Sequence, residues 1–220
     1  MSDSLRTVLP DWHDGHIRII DIIPAEPLTG PPCRRLPVTG GWVDITLRDG
    51  RLEIPEQEPA SRHGYLEETQ GEHGLPSLTI DDALFDALLP KQASLPLFLA
   101  GYHMSFLRTL MGGPWGEHPR RMCLYRMGVM FDLPATSGDA SLAGMARAIA
   151  PSVSNLHDPR LIVSRLGQAT LVLSRLLRLS RLNALVALSC AKVVPPPTTE
   201  PFGRAAGWES CPGGAFIDFE

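Results

Sequence analysis

Few side chains in this chain have the type and spacing to do chemistry. His103 follows Tyr102 in an apolar stretch. A buried imidazole beside a phenol could act as an acid–base group if a carboxylate joined them. His13 and His16 flank Asp14 with HxxH spacing, and His63 and His73 lie in an acidic stretch. Imidazoles with carboxylates can bind a divalent metal, so His13 and His16 are weak metal candidates. No element pattern fixes them in place, and the expectation is no metal and no cofactor.

Other chemical motifs are missing. No GxSxG elbow positions a nucleophile. Gly40-Gly41 and Gly112-Gly113 are doublets that lack the spacing of a phosphate-cradling loop. The acidic pairs Asp81/Asp82 and Glu67/Glu68 are adjacent residues, suited to a helix start and a solvated loop. Cys33, Cys123, Cys190 and Cys211 form no CxxC pair, and the reading is free thiols in a cytoplasmic protein. Cys211 would be reactive only where a partner supplied positive charge. Met122, Met127 and Met130 read as core filler.

The strongest signal is charge. Residues 1–100 hold 8 Lys/Arg against 16 Asp/Glu, whereas residues 101–200 hold 11 against 5. An acidic, Pro/Gly-rich half is joined to a basic, helix-forming half. That asymmetry suggests an acidic partner, either the chain's own first half or another molecule. On a helical wheel Arg160, Arg175, Arg178 and Arg181 fall within about 60° of one direction, opposite Ile162, Leu166, Leu173, Leu176, Leu177 and Ala184. Arg120, Arg121, Arg126 and Arg165 add to this basic set. The last segment spaces Phe202, Trp208, Phe216 and Phe219 along a Gly/Pro-rich backbone. Leaving such side chains in water forfeits about 1.5–3 kcal/mol each, so they are expected to dock.

These features need elements to carry them. HIRIIDII at 16–23 reads as a strand, and Pro24 to Pro37 as an extended loop. WVDITL, the Asp49-Gly50 turn and RLEI form the clearest hairpin signal. Residues 55–77 read as a long acidic loop. Thr79 with Asp82 resembles a capping box before a helix ended by Pro90. Ser94 would cap a second helix, LPLFLAGYHMSFLRTLM, apolar nearly all round and suited to a core. Tyr125, Met127, Val129 and Phe131 alternate as in a strand, the favoured reading, although the composition of 122–133 would also suit a short helix. Asp139 or Ser141 would cap a helix through Ile149. The last helix would start at Asp158-Pro159 and run unbroken to Ala191, about 45 Å.

The expected fold is α+β. An acidic antiparallel β region with long loops occupies 1–77, a helical region with one long C-terminal amphipathic helix occupies 78–193, and a Pro/Gly-rich aromatic tail occupies 194–220. The leading expectation for function is a non-catalytic accessory or assembly subunit of a cytoplasmic complex. It would bind a partner protein or peptide through the Arg face, the hairpin edge and the tail. One alternative is a nucleic-acid-associated subunit of a ribonucleoprotein or DNA-binding complex, although no RRM, KH, helix-turn-helix or zinc-finger pattern is present. The other is an enzyme centred on His103. No stretch is apolar enough for long enough to suggest a membrane span.

Overall fold

A computed structural model describes residues 12–24, 35–54, 58–70, 76–89, 95–111, 120–133, 139–154, 158 and 161–190. The fold is α+β, built on one seven-stranded sheet. Five antiparallel strands come first: β1 Gly15–Pro24, β2 Arg35–Arg48, β3 Arg51–Glu53, β4 Ala60–Gln70 and β5 Pro76–Ile80. Two short strands, β6 Leu97–Gly101 and β7 Arg121–Cys123, then join in parallel on the far side of β1. The order is β5-β4-β2-β1-β6-β7, with β3 pairing the end of β2.

Helices cover both faces. Alternation along β1 explains how: Ile17 and Ile19 point to one face and Ile20 and Ile22 to the other, all buried. The second face is packed by α1 (Asp82–Leu88) and α2 (Met104–Met111). The first is packed by α3 (Leu124–Met130), α4 (Leu142–Ile149), α6 (Ile162–Leu179) and α7 (Leu182–Cys190), with the one-turn α5 (Pro151–Ser154) after α4. At Gly40-Gly41 helices press on the sheet from both faces. A Cβ on Gly40 would lie 2.6 Å from a Leu84 methyl on α1, and one on Gly41 2.5 Å from Ile162 on α6. Gly41→Val is therefore expected to destabilise by about 1–3 kcal/mol, read as a lower urea midpoint with unchanged slope.

Several expectations hold. β1 is a strand, and the Asp49-Gly50 turn has φ of 48° and 71°, the left-handed pair that a two-residue hairpin needs. Ser141 caps α4 by accepting from Gly144 N–H at 3.0 Å.

Others are corrected. The apolar run expected to form one helix after Ser94 is instead strand β6 followed by α2. A parallel strand buried on both faces reads as a continuous apolar run, as a core helix does. Part of the expected acidic loop 55–77 is strand β4, missed because over 61–66 only Gly64 and Leu66 are buried while Ser61, Arg62, His63 and Tyr65 face water. The expected loop up to Pro37 likewise gives way at Arg35 to β2. Asp81, not Thr79, caps α1, accepting from Leu84 N–H at 2.9 Å while its other oxygen accepts from Tyr65 N–H. The 122–133 stretch, which the sequence leaves open between strand and helix with a lean towards strand, contributes only Met122 and Cys123 to β7 before α3 begins at Leu124. The expected cap at Asp158 is not the helix cap either. Its carbonyl accepts from Leu161 N–H in a preceding turn, and α6 begins at Ile162.

The long C-terminal helix is present as α6, eighteen residues with one buried side. It does not continue unbroken to Ala191. Ser180 is extended, with φ −152° and ψ 159°, and α7 restarts at Leu182. The break re-aims the chain so that Leu182, Leu185 and Val186 enter the core beside α6.

Candidate functional site

The face of α6 that packs on the sheet carries Ile162, Leu166, Ala169, Val172, Leu173 and Leu176. The opposite face presents Arg175 and Arg178 to solvent, and Arg181 follows in the exposed link to α7. Other arginines are matched at home. Arg18 pairs with Asp44 at 2.6 Å, Arg35 with Glu67 at 3.0 Å, and Arg165 with Asp21 at 2.5 Å. Among the described residues no ion pair joins Arg175 or Arg178 to a carboxylate.

The Ser180 break opens a groove of about 450 Å³. Its apolar wall is Trp12, Leu177, Leu179 and Leu182, and Arg178 and Arg181 stand on it as well. Leu179 is 43% exposed, unusual for a leucine beside a core. Trp12 stacks edge-on against Phe98 at 5.0 Å, and the Arg120 guanidinium lies 5.6 Å from the Trp12 ring. Trp12 thus connects Arg120 to the groove wall. Arg121 sits half-buried on edge strand β7.

Arg165, read from sequence as one more outward cation, turns inward instead. Its Nε donates to Asp21, which is 7% exposed near the end of β1 and also accepts from Ile22 N–H at 3.0 Å. Burial opposes the Arg165 charge, yet the Asp21 carboxylate more than offsets it and holds the pKa above the usual value. His103 and Tyr102 lie next to this pair, just past the end of β6, with ring centroids 4.3 Å apart; Tyr125 is 5.3 Å from His103. Burial, reinforced by Arg165 and opposed by Asp21, holds the His103 imidazole down to about 4. Burial also raises Tyr102 far above the usual phenol range, so its hydroxyl stays a donor, to the Ala140 carbonyl. A His, a Tyr and a carboxylate do therefore gather as sequence suggested. His103 lines neither the groove beside Trp42 and Asp44 nor the one at Ser180, however.

The two candidate metal histidines separate. His13 lines the groove beside α6 and α7, whereas His16 turns to the opposite face of the sheet, 3.1 Å from Asp44. Burial would raise the Asp44 pKa, but hydrogen bonds and charge from His16 and Arg18 outweigh it and lower it to about 2. Among the described residues no three His, Cys, Asp or Glu gather as a metal site. Cys123 is buried and free. No helix among the described residues is long and apolar enough to cross a membrane. Arg160, Phe202, Trp208, Phe216 and Phe219 lie outside the described residues.

Sequence reasoning missed Trp12, Leu179 and Asp21. A tryptophan beside HxxH was the available signal for the first. Nothing local marks Leu179, because the helix break that exposes it is set by tertiary packing.

Comparison with known proteins yields no match to a family model, a curated protein or a solved structure.

Proposed function

We propose that this protein is a non-catalytic binding subunit of a cytoplasmic assembly, and that it docks an acidic, partly apolar peptide segment of a partner protein in the groove at the α6–α7 break. The supporting observation is that Arg178 and Arg181 share one groove with the exposed Leu179 and the partly buried Leu177 and Trp12. The wall supplies affinity, since each aliphatic or aromatic side chain it covers gains about 1.5–3 kcal/mol. The exposed guanidiniums supply orientation and association rate rather than much energy, because surface pairs contribute only about 0–1 kcal/mol.

This combination favours a peptide over nucleic acid. Leucine side chains offer phosphates nothing, and two guanidiniums on a groove fall short of the ~6–10 phosphate contacts of a strongly salt-dependent binder. The test is fluorescence anisotropy with a labelled peptide of alternating Phe and Glu, against a Phe/Lys peptide and a single-stranded oligonucleotide. The Phe/Glu peptide is expected to bind at least about tenfold more tightly than the Phe/Lys peptide, whose charges meet like charges at Arg178 and Arg181. Arg178→Glu/Arg181→Glu is expected to weaken binding at least about tenfold while stability moves by only about 0.5 kcal/mol, as for surface substitutions. Equal binding by wild type and variant would sink the reading, and preference for the oligonucleotide would replace it with the nucleic-acid alternative.

A further inference from the structure

We propose that the groove has an occupant in the same chain: residues 216–220, Phe-Ile-Asp-Phe-Glu, compete with the partner segment for it. The proposal rests on the groove being a docking site for an acidic, partly apolar segment. It adds that recruitment requires displacement of this piece.

Three observations point to it. First, the pattern of the segment complements the groove. In an extended chain alternate side chains face opposite ways, so Ile217 and Phe219 share one side, and Asp218 and Glu220 share the other with Phe216. The apolar pair suits the wall of Leu177, Leu179, Leu182 and Trp12, and the two carboxylates suit Arg178 and Arg181.

Second, charge is segregated along this part of the chain. No Asp or Glu occurs between Asp158 and Glu200, while Arg160, Arg165, Arg175, Arg178, Arg181 and Lys192 do. The acidic residues that follow the basic arm are Glu200, Glu209, Asp218 and Glu220, and two of these four fall in the five-residue segment.

Third, the segment can reach. α7 carries the chain nine residues away from the groove, from Leu182 to Cys190, which is about 13 Å. Residues 191–215 then provide 25 residues, whose coil dimension is about 28 Å at roughly 5–6 Å × √n. A tether of this length gives an effective concentration on the order of 1 mM. For a peptide with a Kd near 0.1 mM, occupancy by the tethered copy would weaken an external ligand about tenfold.

The experiment uses the full chain and a labelled synthetic peptide of residues 212–220. Binding is measured to wild type, to Ile217→Ala/Asp218→Lys/Phe219→Ala, and to that variant with Arg178→Glu/Arg181→Glu added. The peptide is expected to bind the first variant about tenfold more tightly than wild type, and the added charge reversals should abolish the gain. Equal affinity for wild type and the first variant overturns occupancy by the chain's own segment. Failure to bind either also overturns it. The docking reading is judged separately: it falls if the Phe/Glu peptide fails as well, or binds wild type and Arg178→Glu/Arg181→Glu equally.

Discussion

Asp21→Ala is expected to lower the unfolding free energy by about 3 kcal/mol, measured by urea denaturation at neutral pH. The carboxylate is almost fully buried, and its partner Arg165 retains a quarter of its side chain in water, which sets the effect at the lower end for a broken buried pair. Most of the loss comes from leaving a guanidinium with no counter-charge between β1 and α6. Removing both charges with Asp21→Ala/Arg165→Met should therefore restore a substantial part of it. A single variant that loses less than about 1 kcal/mol would show that water, not Asp21, satisfies Arg165.

Acid is expected to destabilise the fold through His103. Its ordinary pKa is about 6.5 and the folded value is about 4, so between these the unfolded chain binds more protons. The sign follows: above about pH 6.5 the group has no effect, and stability falls as pH drops towards 4. The loss between pH 7 and pH 4 is roughly 3 kcal/mol. His103→Phe keeps the packing against Tyr102 and Tyr125 and should flatten this slope. Asp44 acts in a separate, lower window, with its stabilisation present above about pH 4 and lost as pH falls towards 2. An unchanged slope in the His103→Phe variant would assign the acid sensitivity to other groups.

Legibility in the sequence followed locality. The Asp49-Gly50 hairpin, the Ser141 cap and the two-sidedness of α6 are written in residues a few positions apart, and all appear in the structure. What failed depends on distant partners. β6 is a strand because β1 and β7 flank it, although its apolar run is equally suited to a helix. β4 is a strand because β2 and β5 pair with it, although its own side chains are mostly polar. Arg165 points inward because Asp21, 144 positions earlier, waits there. The same rule holds for the site. Arg178 and Arg181 stand out in the sequence, but the wall between them exists only because Ser180 interrupts the helix and Trp12 arrives from the other end of the chain.

The placement of β6 also governs how this molecule acquires its shape. β1 through β5 can zip up from neighbours in sequence, yet the other flank of β1 waits for residues 97–101, more than seventy positions after Pro24. Contacts closing so large a loop form late and slowly. During synthesis the central strand therefore passes through a stage with one row of amides and carbonyls open to the solvent. At that stage an Ile-rich edge is poised to pair with another nascent chain.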